Sequence, residues 1–288
     1  MKLTDLFDAG KFVITSEVAP PKGVGVSEMI ENAELLKPRV DAINLTDQQS
    51  SVMRLGSLAA SQMLKARGIE PIFQMTCRDR NRIALQSDLL SAWSLGIENV
   101  LCLTGDHVVL GDFPDAKAVF DLDSVSLLAA ANGLNEGRDM VGNELAGSPG
   151  FCLGAVATPG ADPVELQLIK MEKKIAAGAT FFQTQAVFDP EAFARFMERA
   201  EPLGVPVMAG IILLKSPGMA RFMNKNVAGV HVPEALIDQM ANKEDRAAKS
   251  VEIAARLIRE IANVCQGVHI MPLGWEKLVP QVLDAAGL

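Results

Sequence analysis

Glu17 stands inside the apolar and β-branched run Phe12-Val-Ile-Thr-Ser-Glu17-Val18. An unpaired carboxylate buried in such a strand carries a heavy desolvation cost. It reads either as a structural carboxylate paired with a buried lysine or arginine, or as a general acid whose proton burial helps to retain. Thr104-Gly105-Asp106 has the form of a tight turn. There Gly105 would let the backbone approach a ligand, and Asp106 serves either as a turn cap or as a working carboxylate. Met171-Glu172-Lys173-Lys174 is the strongest candidate for anion binding, although lysines on a helix also make an ordinary solvated face. Asp162 and the Gly160 turn just upstream would place a helix N-terminus nearby, which suits a phosphate.

These groups need a frame, and the pattern supplies one. Short β-branched runs at 12–18, 41–45, 71–76, 99–103, 151–157, 180–185, 206–212 and 268–271 alternate with helical-period segments. The predicted helices cover 27–36, 53–67, 81–95, 123–131, 162–177, 190–200 and 219–224, and a terminal one covers 276–286. A helical insertion (233–241 and 245–264) precedes the last strand. Ser27 and Asp162 read as N-caps, with Pro163 in the first turn of its helix. Apolar strands separated by helices imply a parallel sheet buried on both faces, and eight units favour closure into a single (β/α)8 TIM barrel over residues 1–288. An open doubly wound sheet is the alternative, but no early strand leads into a Gly-x-Gly-x-x-Gly turn. Such barrels carry their chemistry at the carboxyl ends of the strands, so Glu17, Thr46, Gln74, Asp106 and Gln185 all fall where a site is expected.

Composition narrows the function. The 288 residues are 49% apolar and 22% charged, enough for a large core, and carry a net charge of −8. That charge argues against nucleic-acid or anionic-membrane binding. No window approaches a transmembrane span, and the first residues lack the features of a signal peptide. Four separated cysteines fit buried thiols in a reducing cytoplasm, and three scattered histidines lack metal-ligand spacing.

With these motifs in order, the chain resembles the methylenetetrahydrofolate reductase family along essentially its full length. The resemblance rests on Ser16-Glu17-Val18-Ala19-Pro20-Pro21, Asn44-Leu45-Thr46, Gln74-Met75-Thr76-Cys77, Gly105-Asp106, Lys173-Lys174-Ile175-Ala176-Ala177-Gly178-Ala179 and Thr184-Gln185-Ala186-Val187-Phe188-Asp189. It implies a flavoprotein that reduces 5,10-methylenetetrahydrofolate to 5-methyltetrahydrofolate, with FAD as cofactor and FMN as the alternative. Glu17 would then protonate the folate nitrogen, and Asp106 would lie by the flavin and the pterin, where its charge would favour the iminium cation and tune the flavin. Further implied flavin contacts are Thr46, Gln74, Thr104, Gly105 and Thr158, with Lys170, Lys173 and Lys174 toward the cofactor phosphates. Gln185 and Phe222 are the implied folate contacts.

The departures concern the donor side. Thr158 stands where the family often has an aromatic, Gln74 where a histidine is common, and the loop 213–219 lacks a phenylalanine. The Leu-Leu-Lys-Ser loop and Met271-Pro-Leu-Gly-Trp275 are similar to an anaerobic-type branch, in which some reductases work with a small cysteine-rich redox subunit. A reduced nicotinamide or a reduced electron-carrier protein is therefore the implied donor. The resemblance also admits a homo-oligomer, and it implies no adenosylmethionine inhibition, since the sequence shows no carboxyl-terminal regulatory domain. Two other readings keep the barrel: a folate- or pterin-binding methyltransferase type, and a non-catalytic subunit of a redox complex.

Overall fold

The computed structural model describes residues 1–288. Eight strands, β1 (Val13–Val18), β2 (Ala42–Leu45), β3 (Pro71–Thr76), β4 (Asn99–Leu103), β5 (Cys152–Ala157), β6 (Phe181–Ala186), β7 (Val207–Ile212) and β8 (Gly267–Met271), pair in parallel and in sequence order. β1 also pairs with β8, so the barrel closes. Helix α1 (Leu3–Asp8) precedes β1. The connections then carry α2 (Ser27–Leu36), α3 (Ser57–Lys65), α4 (Arg82–Ser94), α5 (Ser124–Asn135), α6 (Val164–Ala176) and α7 (Pro190–Ala200). Between β7 and β8 lie α8 (Pro217–Asn226), α9 (Glu234–Gln239) and α10 (Arg246–Ile261), and α11 (Val279–Ala286) ends the chain. The insertion expected over 233–241 and 245–264 is thereby corrected: α10 is the crossover helix that packs on β7 and α7, and the extra helices are α8 and α9. No helix is long and apolar enough to cross a membrane.

Strand residues alternate between the two faces of the barrel wall. The outward set (Ile43, Leu45, Phe73 and Met75 among them) joins the helices in the main apolar core. α7 shows how a helix supplies its share: Phe193, Phe196, Met197 and Ala200 recur at helical spacing and are buried. The inward set begins with a smaller apolar layer at the amino ends of the strands, including Val13, Ile72, Phe181 and Met208. α1, which the sequence pattern did not announce, plugs that end with the fully buried Leu3, whose N–H donates to Asn99 Oδ1 at 2.9 Å. Phe181 fits inside the barrel because its register partner is Gly154. A Cβ there would lie 2.2 Å from the ring.

Several expected helix ends differ. Ser27 is the first helical residue rather than a cap, with Val26 in the cap position. α6 starts at Val164 with Pro163 in the cap position, so Asp162 does not cap it and Pro163 lies before its first turn. The helix expected over 53–67 starts only at Ser57, because a 3-10 turn at Gln49–Ser51 takes up the preceding loop. α5 runs to Asn135, longer than expected, and is capped by Asp123, which accepts from Ser126 N.

Candidate functional site

Above the apolar plug the barrel interior turns polar. The side chains that do so share a spacing: Thr15 with Glu17, Asn44 with Thr46, and Gln74 with Thr76 are each two residues apart along a strand or its end, and therefore on one face, and Gln183 joins them from β6. Asn44 and Gln183 face each other from opposite sides of the barrel. Asn44 Nδ2 donates to Gln183 Oε1 at 2.8 Å, and Gln183 Nε2 donates back to Asn44 Oδ1 at 3.2 Å. Gln183 Nε2 also donates to Thr15 Oγ1 at 3.2 Å, and Thr15 Oγ1 lies 3.0 Å from His269 Nδ1. His269 Nε2 in turn lies 3.7 Å from Glu17 Oε2. This distance exceeds a good hydrogen bond but lies well within reach of Coulombic attraction.

Glu17 is 6% exposed and tops this chain. Its nearest basic side chain is a histidine, not the buried lysine or arginine that a structural carboxylate would call for. It also lines a recess of about 460 Å³ between the loop after β1, helix α2 and the loop after β8. Thr46, at the carboxyl end of β2, is 2% exposed, and its hydroxyl has no partner in the protein. A buried hydroxyl left without a hydrogen bond is costly, and at a strand's carboxyl end this one is available to a ligand atom.

The Asp106 turn is held from below. Arg78, buried, donates to Ser51 Oγ at 3.1 Å and to the Asp106 carbonyl at 3.4 Å, and is clamped by Asp79. Ser51 Oγ also donates to the Asp106 and His107 carbonyls. Gly105 has φ +92°, and a Cβ there would lie 2.9 Å from Thr76 Cβ. The glycine is thus required by close packing on the end of β3, a different reason from the ligand approach expected of it. Asp106 itself is exposed. Its backbone carbonyl accepts the bonds that fix the turn, and its carboxylate makes no hydrogen bond or ion pair within the protein.

Beneath Thr46, Asp47 is enclosed: it accepts from Thr76 N (2.8 Å) and Thr76 Oγ1 (2.9 Å) and pairs with Arg80. Burial, opposed by Arg80, pushes the nearby Asp88 carboxyl up.

The remaining sequence-predicted residues divide. Gln74 is buried on the inward face of β3, and Gln185 is half-buried at the end of β6, inside that strand's register shift. Thr104 accepts from Ser124 N at 3.0 Å, so its hydroxyl caps α5. Thr158 is half-buried against the loop at Gly229. Lys174 reaches from α6 to the end of β5, donating to the Val156 carbonyl at 2.7 Å; burial and the neighbouring Lys170 hold its pKa below the usual lysine range. Lys170 and Lys173 are exposed on α6. Phe222, 62% exposed on α8, is not brought into the barrel. Sequence reasoning missed His269, Thr15, Asn44, Asp47 and Arg78 as site components. The two-residue spacing of polar side chains inside apolar strands was the signal for two of them, Thr15 and Asn44.

A family model described as methylenetetrahydrofolate reductase matches residues 2–287. The chain belongs to that family. Among its methylenetetrahydrofolate reductase relatives, a probable NADPH enzyme of Caenorhabditis elegans is 24% identical, covering 100% of this chain and 44% of its own length. Methylenetetrahydrofolate reductase 2 of Schizosaccharomyces pombe is 26% identical (100% and 48%), and the 5,10-methylenetetrahydrofolate reductase of Pectobacterium carotovorum is 28% identical (69% and 62%). The chain thus spans about half the length of the first two. A solved structure of an uncharacterized protein from Clostridium thermocellum, which binds two copies of 5-methyl-5,6,7,8-tetrahydrofolic acid, superposes with a TM-score of 0.70. At 18% identity, over 99% of this chain and 97% of that one, this likeness shows the fold. A 2,3-dimethylmalate lyase with a TM-score of 0.54 and 11% identity shares the barrel as well.

Proposed function

We propose that this member of the methylenetetrahydrofolate reductase family reduces 5,10-methylenetetrahydrofolate to 5-methyltetrahydrofolate, using a bound flavin. The observation that carries the reading is Glu17: a nearly enclosed carboxyl group, opening on a recess at the barrel mouth and backed by a polar chain. The residues present fit a flavin. Thr46 offers an unpartnered buried hydroxyl, Gln74 a neighbouring amide, and Lys174 with Lys170 and Lys173 a positive cluster for phosphate. FAD is the expected cofactor and FMN the alternative, since both present a phosphate to those lysines.

A flavin bound at this mouth supplies the hydride. Glu17 delivers its proton to the folate nitrogen, so that the five-membered ring opens to an iminium cation. Asp106, on the far side of the barrel from β1, keeps a carboxylate at the mouth that favours this cation. Gln185 binds the pterin from β6. The folate bound by the Clostridium thermocellum protein is the product of this reaction, which supports the choice of ligand. The electron donor is a reduced nicotinamide or a reduced carrier protein, and the four buried free thiols support a reducing cytoplasm. The visible spectrum of the purified protein tests the cofactor: flavin absorbance, or its appearance on adding FAD or FMN, is expected. A colourless protein that takes up neither would refute the proposal.

A further inference from the structure

Within the reductase reading, on which this inference rests, we propose that His269 is the positioning residue of Glu17, held with its proton on Nε2 by a hydrogen-bond chain that crosses the barrel. Four buried side chains from β1, β2, β6 and β8 form that chain (Asn44, Gln183, Thr15 and His269), and the buried Glu17 Oε2 lies 3.7 Å beyond His269 Nε2. Thr15 decides its polarity. Its oxygen accepts from Gln183 Nε2, and its one proton has a single remaining partner, His269 Nδ1, at 3.0 Å. The reverse arrangement would bury a hydroxyl proton with no acceptor. The hydroxyl therefore donates to Nδ1, which makes Nδ1 the acceptor and leaves the imidazole proton on Nε2. Nε2 is the atom that faces Glu17 Oε2.

A neutral Nε2–H aimed at one carboxyl oxygen does two things. At 3.7 Å it biases the rotation of the carboxyl group, leaving the other oxygen to present its proton to the recess. It also stabilises the carboxylate that remains once the proton has moved to the folate nitrogen. The proton balance is simple. Glu17 loses one proton to substrate and regains one from solvent through the recess, and the imidazole keeps its own. The other charged groups around that recess are Lys22, Glu28, Arg54 and Glu276. None belongs to the chain below Glu17, and all stay in place in the variants proposed here.

Two measurements test the proposal. The first follows the two half-reactions separately across pH in the flavin-loaded protein. His269→Leu is expected to slow oxidation of the reduced flavin by methylenetetrahydrofolate about a hundredfold. It should also move the alkaline limb of that half-reaction to higher pH, because Glu17 loses a donor that favours its ionised form. Flavin reduction by the donor should hold within about twofold. His269→Gln, whose amide N–H reaches the same place, should recover most of the loss, and Thr15→Val should show a partial one. Equal loss in both half-reactions, or a slower reaction with an unmoved limb, would show a merely structural histidine and overturn the proposal.

The second is the nitrogen resonance pattern of the His269 imidazole in the wild-type protein, which requires no turnover. A protonated Nε2 and bare Nδ1, disturbed by Glu17→Gln and by Thr15→Val, is the expected result. A proton on Nδ1 would overturn the proposal. If the wild-type flavin is not oxidised by the folate at all, the reductase reading fails, and the resonance pattern still decides the His269–Glu17 contact.

Discussion

Glu17, Thr46 and Asp106 are each placed by a different kind of force. Glu17 is inward because strand alternation puts residues 13, 15 and 17 on one face, and it stays tolerable there because a histidine and a solvent-reaching recess flank it. Its proposed role predicts a split outcome. Glu17→Gln should slow the folate half-reaction by about two to four orders of magnitude while flavin binding and donor-driven flavin reduction survive, because only the proton donor is lost. Stopped-flow spectra of the two half-reactions check this, and equal damage to both would assign Glu17 to structure. For Thr46, the unpartnered hydroxyl predicts that Thr46→Val preserves or raises thermal stability in the free protein. The same change should weaken flavin binding about fivefold, the worth of one hydrogen bond of about 1 kcal/mol, as read by fluorescence titration. Of this set, the positions of Glu17, Thr46 and Asp106 at or just past strand ends were legible in the sequence, because each is a polar residue closing an apolar run. His269 was not, since a lone histidine in an apolar strand shows its partner only once β8 is known to lie beside β1.

At the scale of elements, the strands were legible and the helix starts were not. Eight apolar runs separated by helices predict a parallel sheet, and the closed order β1 to β8 follows. Caps depend on the dihedral angles of one or two residues, which is why Ser27 and Asp162 were misplaced and Asn81 and Asp123 carry the side-chain caps. Two predictions belong here. Gly154→Ala would put a methyl carbon 2.2 Å from the Phe181 ring. It should cost about 1–3 kcal/mol in chemical denaturation, and Gly154→Ala combined with Phe181→Leu should regain part of that loss.

The second concerns the long connection after β4, whose end is tied to α4 by Arg82 and Asp121 at 2.8 Å. The side-chain bond from Arg82, then its backbone N–H, hold Asp121 down at about 2. Because the folded value is depressed, the tie contributes fully above the ordinary carboxylate range and is lost as pH falls through about 2. Asp121→Asn should therefore flatten the acid side of the stability profile between about pH 4 and pH 2. An unchanged profile would show that the tie contributes nothing.

At the scale of the molecule, the barrel divides its labour along its axis. The amino end is sealed by α1 and an apolar layer, the middle by a hydrogen-bonded polar chain, and the carboxyl end is left open to carry Glu17, Thr46, Gln185 and the Asp106 turn. A sealed lower half gives the polar chain a dry setting, in which its few hydrogen bonds hold their geometry. The measurement that bears most directly on the reductase reading is a single turnover without oxygen. Protein loaded with flavin is reduced, then mixed with methylenetetrahydrofolate, and both the flavin spectrum and the folate product are followed. Return of the oxidised flavin spectrum, with one 5-methyltetrahydrofolate formed per flavin, is the predicted result. A flavin that stays reduced while the folate is bound would contradict it.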